Sequence, residues 1–416
     1  MEPTASQEII RDGKYISFYL PHHAVLKPDS KTTKVRVVFN ASKLSHSGIS
    51  LNDILHTGPV LQNDLMLIIL KWRLYKYVFN GDIENMYRQI YVQPEEQDFQ
   101  RIVFRRTPQS SVEDFKLKTV TFGVNCAPYL AIRTLHQLAK DSHDKHPKAS
   151  KILLNEIYVD DILSGGHDLD STLTSMNEVI AALKSAGFPL KKMTANHKDI
   201  LQNIPTSDRL EADFLQFQDS SSTKTLGIKW NALNDEFSYS IDPLPDSNVA
   251  TKTQIFSSVA KLFDPAGWLT PMMIQAKMLL QQLWMESTGW DESVKPGALH
   301  KWNAFQGNLI AIREIQIPRW VQFSLNKTIQ LYGFSDASKK AFCACVYLRV
   351  EHSENQVSSH LLAAKSKVAP LQTVSLPRLE LCGAVLLSKL IKQIQSQLDL
   401  PAHELTLWSD SSIVLA

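Results

Sequence analysis

Tyr158-Val159-Asp160-Asp161 sets two adjacent carboxylates in an otherwise apolar stretch, with Ile152-Leu153-Leu154 before it and Ile162-Leu163-Ser164-Gly165-Gly166 after it. An apolar run of this length closed by Gly-Gly reads as a buried hairpin. Two ionised Asp side chains there are costly unless a positive charge neutralises them. A divalent cation with oxygen ligands is the obvious neutraliser. The pair is therefore a metal-site candidate and points to phosphoryl chemistry. The plainer alternative is a solvated turn, and a further carboxylate on another strand would decide against it.

Asp82 supplies that carboxylate. It ends the strand-like run Tyr77-Val-Phe-Asn-Gly-Asp82. Two cations about 3.5–4 Å apart, held by acids on neighbouring strand ends, clamp the attacking and leaving oxygens of an in-line displacement.

The 416 residues leave room for two to four domains. Hydrophobic residues make up 44% and charged residues 21%, which is ordinary for a globular chain. The net charge of +2 neither argues for nor against nucleic acid as a partner, because local patches outweigh the total. Residues 11–43 are such a patch: Arg11, Lys14, Lys27, Lys31, Lys34, Arg36 and Lys43 stand against Asp12 and Asp29. Cys126, Cys343, Cys345 and Cys382 are too scattered for a disulfide framework or a zinc finger, so a reducing compartment is expected. There is no signal-peptide pattern and no apolar run near 18 residues, so no membrane partner is expected.

Periodicity and punctuation predict an amphipathic helix over 63–76 with Asn63 as N-cap. They predict strands over 34–39, 77–82 and 101–106, and a helix over 127–142 with Pro128 near its start. A helix over 171–185 and a short strand over 226–230 follow. Residues 251–317 read as helical. Strands return at 329–334 and 341–350, then a helix over 378–398 and a strand over 405–408.

Asn80-Gly-Asp82-Ile-Glu-Asn-Met-Tyr87 resembles reverse transcriptase motif A, Thr121-Phe122-Gly123-Val-Asn-Cys-Ala-Pro128 resembles motif B, and Tyr158-Val-Asp160-Asp161 resembles motif C, in the family's order. Ala186-Gly187-Phe-Pro-Leu-Lys191-Lys192 is similar to motif D, and Leu226-Gly227-Ile-Lys-Trp230 to the primer grip. Pro21-His-His-Ala-Val and Lys34-Val-Arg36-Val-Val-Phe-Asn-Ala-Ser resemble the BEL/Pao class of LTR retrotransposons. The resemblance implies an α/β (α+β) fold: a right-hand polymerase with fingers and palm over 1–205 and a primer-grip or thumb-like link over 206–250. A helical connection over 251–325 and a C-terminally truncated ribonuclease H-like domain over 326–416 would follow.

It further implies that Asp82, Asp160 and Asp161, with the Ile83 carbonyl, hold two Mg2+ ions, Mn2+ being an alternative. Tyr87 would exclude a 2′-hydroxyl; the plainer reading is a core aromatic. Phe122 and Gly123 would pack on nucleotide and template. Arg36 would grip the triphosphate through a guanidinium fork, with Lys27 assisting, although its strand also reads as a solvated edge. Lys191 or Lys192 would act as general acid to pyrophosphate. The partners implied are an RNA or DNA template with its primer, deoxynucleoside triphosphates and an RNA–DNA hybrid. The implied localisation is cytoplasmic, in virus-like particles, and nuclear.

Asp336 lies inside a strand, Glu380 opens a helix and Asp410 ends a strand, in an order that resembles ribonuclease H. Glu380 alone also reads as a helix-start carboxylate. The chain ends at Ala416, so the family's fourth acid and last elements are expected beyond it and hybrid cleavage is expected to be impaired. The whole reads as a piece of a larger polyprotein, or as an element-derived gene. The rival reading is a catalytically inactive, retroelement-derived nucleic-acid-binding protein. A peptidase over 250–325 lacks any Ser/His/Asp or Cys/His arrangement to support it.

Overall fold

The computed structural model describes residues 2–3, 17–26, 34–210, 214–216, 228–239, 249–398 and 404–416. Arg11, Lys14, Lys27 and Lys31, and Leu226-Gly227, lie outside them. Helices and strands alternate through the chain, the mixed fold expected. It divides into two compact units: Met1–Asn63, Gly81–Ile162 and Ser175–Lys191 form the first, and Asp64–Asn80, Leu163–Thr174 and Lys192–Ala416 the second.

In the first unit, His22–Leu26 and Val35–Phe39 pair as an antiparallel hairpin. Arg101–Phe104 and Glu113–Lys116 form a second. Leu20, Phe39, Leu51, Ile102, Phe115, Val120 and Val124 pack into one core beneath them. Beside it lies an ion cluster. Asp98 receives Arg101 and, at 2.9 Å, Lys116, while the Tyr19 hydroxyl donates to Asp114. Desolvation pushes Asp98 up, but the bonds from Lys116 and Arg101 outweigh it and hold the carboxyl below its usual range.

The helix Ala127–Asp141 starts with Pro128 in its first turn, as expected. The apolar run before motif C differs from the sequence reading. Pro147–Asn155 is helix, and the hairpin begins only at Ile157. Pro147 starts that helix, and Ile152 and Leu153 are buried on one face of it. A short apolar run does not distinguish helix from strand by itself. The hairpin lies at the edge of a sheet with strand order Ile157–Tyr158, Asp161–Gly166, Tyr77–Ile83 and Leu190–Ala195.

In the second unit, Leu65–Leu74 is a helix with nine of its ten residues buried, so it is not amphipathic. Its N-cap is Asp64, which accepts from the Met66 amide at 2.9 Å, and not Asn63, whose side-chain amide donates within the first unit to the Leu154 carbonyl. The far end is capped by a buried arginine. Arg319 donates to the carbonyls of Trp72 (2.7 Å), Tyr75 (2.8 Å) and Lys76 (3.2 Å) and to both oxygens of Asp235. The Trp72 carbonyl also takes the Tyr75 amide at 3.3 Å, while Tyr75 and Lys76 lie at and just past the helix end, where the helix's own ladder has run out. Arg73, also buried, donates to the carbonyls of Arg319, Pro318 and Leu361. Burial, then the like charge of Arg319, push Arg73 down to about 9, so it stays charged at neutral pH.

Residues 251–317 are mainly helical, with Lys252–Ala260, Thr270–Met285 and Pro296–Leu309 the principal helices and the strand Gln316–Pro318 at the end. A four-stranded sheet follows, ordered Gln356–Val368, Ala341–Ser353, Thr328–Ala337 and Glu404–Trp408. Its last pair is parallel, and Leu376–Leu398 packs across it. The four cysteines are free thiols. Among the described residues no helix is long and apolar enough to cross a membrane.

Candidate polymerase active site

Asp82 lies near the end of the strand Tyr77–Ile83 and is half-buried. Tyr158 pairs with Asp161 across a two-residue turn, Val159-Asp160. Val159 has φ +56°, a region that costs a β-branched residue strain. The next amide after Asp82, that of Ile83, donates to the Asp160 carbonyl at 2.8 Å. The two carboxylate-bearing segments are thus joined backbone to backbone at their tips. Opposite them, Glu84 donates its amide to the Pro189 carbonyl at 2.9 Å, which seats the segment that carries Lys191. Lys191 is half-buried; Lys192 is exposed with φ +51°.

The remaining site residues follow in a line of contacts. Burial first, and then the charge of Asp160, push the Tyr87 hydroxyl above its ordinary pKa. The Tyr87 ring meets Phe122 edge-on at 4.8 Å between centroids. The Arg36 guanidinium lies over Phe122 at 5.3 Å, and its strand leaves it exposed. Gly123 has φ +91°, and a Cβ there would stand 2.3 Å from the Phe39 carbonyl. Only glycine fits at that point, so the motif B loop lies directly on the strand that carries Arg36. Arg36, Phe122, Tyr87 and Gly123 therefore form one row of contacts, and the Asp82 and Asp160 segments are joined through the Ile83 amide, with Asp161 next along the hairpin.

Three residues that the sequence reading passed over hold this site. Asn52 accepts from the Asn125 amide (2.9 Å) and donates to the Gly123 carbonyl (3.2 Å), and Asn125 returns a bond to the Asn52 carbonyl (2.8 Å). Gln62 bonds the backbone of the motif C hairpin on its outer edge. The spans between these partners, 71 to 97 residues, leave no periodic trace in the sequence.

The donor set is all carboxylate and carbonyl oxygen, which suits Mg2+. Magnesium usually takes one or two carboxylates and completes its shell with water and substrate phosphate. Among the described residues no group of three or more His, Cys, Asp or Glu side chains is gathered closely enough to hold a metal ion, so the structure does not bring Asp82, Asp160 and Asp161 together as one such cluster.

The second set of acids lies in the second unit. Asp336 stands two residues beyond the last parallel pair, Phe334 with Trp408, and Asp410 stands two residues beyond it on the neighbouring strand. Both are exposed. Glu380, on the first turns of Leu376–Leu398, is half-buried and accepts the hydroxyl of buried Ser411. Ser411 follows Asp410 directly, so this bond ties the helix to the strand end that carries the third acid.

Residues 30–229 match the reverse transcriptase (RNA-dependent DNA polymerase) family, and residues 251–411 match the Pao retrotransposon-like RNaseH-like domain. No curated protein matches the chain. Among solved structures it is similar to the foamy viral protease-reverse transcriptase dRH in complex with double-stranded DNA, at TM-score 0.59 and 17% identity. That likeness covers 95% of this chain and 59% of the viral one. The foamy viral protease-reverse transcriptase in complex with RNA/DNA hybrid gives TM-score 0.56 and 17% identity, covering 95% and 46%. The chain thus spans roughly half the length of these viral proteins and shares their fold. It carries a reverse transcriptase domain followed by a Pao retrotransposon-like RNaseH-like domain, which together support its assignment to the reverse transcriptase and ribonuclease H region of a Pao/BEL retrotransposon.

Proposed function

We propose that the chain is an RNA-directed DNA polymerase that adds deoxynucleotides to a primer 3′-hydroxyl, with Asp82, Asp160 and Asp161 as its metal-holding acids. The observation that carries this is the bond from the Ile83 amide to the Asp160 carbonyl, which joins the Asp82 strand end to the motif C turn; the contact row of Arg36, Phe122 and Tyr87 supports it. The Ile83 carbonyl is a further oxygen donor. When bound, two Mg2+ ions, or Mn2+, lower the pKa of the attacking hydroxyl and steady the pyrophosphate leaving group. The guanidinium of Arg36 grips the triphosphate, with Lys27 beside it in the chain's basic segment. The Tyr87 ring fills the space a 2′-hydroxyl needs. Phe122 and Gly123 present a flat surface to nucleotide and template. Lys191 or Lys192 protonates the departing pyrophosphate.

The domains are proposed as fingers and palm over 1–205, a primer-grip link over 206–250, a connection over 251–325 and a ribonuclease H-like domain over 326–416. Asp336, Glu380 and Asp410 are the acids by which the last would meet an RNA–DNA hybrid. Work in virus-like particles in the cytoplasm, and then in the nucleus, fits these substrates. Primer extension on an RNA template, with and without Mg2+, tests the reading. The parent chain is expected to extend the primer and Asp160→Asn is not; a parent chain that fails at every Mg2+ concentration overturns it.

A further inference from the structure

We infer that Gln62 is a positioning residue for the motif C turn, fixing Asp160 by holding the backbone on either side of Tyr158. Ile157–Tyr158 is the edge strand of its sheet. The backbone groups of Tyr158 face its partner Asp161, so the Ile157 carbonyl and the Val159 amide face outward. A glutamine side chain offers one donor and one acceptor in a plane, as a peptide unit does. Gln62 uses both: Nε2 donates to the Ile157 carbonyl at 2.9 Å, and Oε1 accepts from the Val159 amide at 2.8 Å. The same Nε2 also donates to the Asn63 carbonyl at 3.2 Å. The side chain stands where the next strand of the sheet would be.

What it holds is a strained residue. Val159, β-branched and at φ +56°, directly precedes Asp160, and such a conformation persists only where surrounding contacts over-determine it. The bond from Gln62 to the Val159 amide is one of those contacts; the bond from Ile83 to the Asp160 carbonyl is another. Gln62 touches the reaction only through this turn. The role rests on the polymerase reading above, but the placement of the turn does not.

Gln62→Met keeps the length of the side chain and removes both bonds; Asn63→Ala removes a neighbouring bond, to the Leu154 carbonyl, that lies outside the turn. Single-nucleotide incorporation and amide hydrogen exchange are measured on the full chain. We expect Gln62→Met to lower kcat by about 10- to 100-fold, the scale of a small misplacement of a reacting group. KM for the nucleotide stays within about twofold, the thermal midpoint does not move, and exchange at Val159 speeds up. Asn63→Ala keeps the parent kcat. A purely structural role would shift the thermal midpoint and spare the split between kcat and KM. If Val159 exchanges faster in Gln62→Met while kcat holds, the positioning role is overturned and the polymerase reading stands. Unchanged Val159 exchange overturns the clamp itself. A parent chain without incorporation overturns both.

Discussion

At the scale of single residues, the candidate site divides into side chains proposed to do chemistry and side chains that hold backbone. The first kind was legible in the sequence. Asp82, Tyr87, Phe122 and the Asp160-Asp161 pair sit at fixed spacings in an apolar context where charge and bulk demand a reason. The second kind was not. Asn52, Asn125 and Gln62 bond to the backbone of distant segments, and an exposed-looking amide in a loop carries no pattern that announces it. Tyr87 gives the sharpest test at this scale. Its ring packs edge-on against Phe122, so on the proposed reading Tyr87→Ala opens space where a ribose 2′-hydroxyl would fall. Ribonucleotide incorporation relative to deoxynucleotide is expected to rise by about 10- to 200-fold, the range that small steric differences give in a pocket. Competition between the two nucleotides on one primer measures it, and unchanged discrimination would make Tyr87 a packing residue only.

At the scale of elements, hydrophobic period identified the long helices and the apolar strands, and tertiary context decided the rest. The strand Gln356–Val368 carries no strand signal in the sequence, because Ser358, Ser359, Ala363, Ala364, Lys365 and Lys367 give it little strand character; its long pairing with Ala341–Ser353 makes it a strand. The helix Leu65–Leu74 reads as amphipathic in the sequence but is buried all round, because its polar-looking end contains Arg73, which the fold buries. Arg319 closes that helix end with a planar fork that a lysine lacks. Arg319→Met is expected to cost about 3–5 kcal/mol, the scale of breaking a buried ion pair, read as a lower urea midpoint at unchanged slope. Arg319→Lys is expected to recover little of it, and full recovery by lysine would show that charge alone suffices.

The ion cluster around Asp98 makes a prediction of its own sign. Its carboxyl is held below the unfolded value of about 3.9, so its contribution is present above that pH and is lost as the pH falls through the folded value. Asp98→Asn should flatten the acid limb of stability below about pH 4, measured as urea midpoints across that range. A limb as steep as the parent's would assign acid loss to other carboxylates.

At the scale of the whole molecule, the order of motifs along the chain told more than composition. A net charge of +2 does not mark a nucleic-acid enzyme; carboxylates on separate strands in a set order do. The basic residues are local, and binding to template-primer is expected to show it. The logarithm of affinity should fall linearly with the logarithm of salt, by about 0.9 for each duplex phosphate engaged. Filter binding across a salt series measures the slope, and a flat line would remove nucleic acid as the partner.

The central claim is that Asp82, Asp160 and Asp161 act as one metal-holding unit, and it is tested most directly by single-turnover incorporation with the three carboxamide variants. Each of Asp82→Asn, Asp160→Asn and Asp161→Asn should lose about 10³-fold or more, since several kcal/mol of charge stabilisation goes with the metal. The double variant of Asp82 and Asp160 should lose little beyond either single one, as residues that act together do. Incorporation at the parent rate by any of the three, or losses that multiply in the double variant, would contradict it.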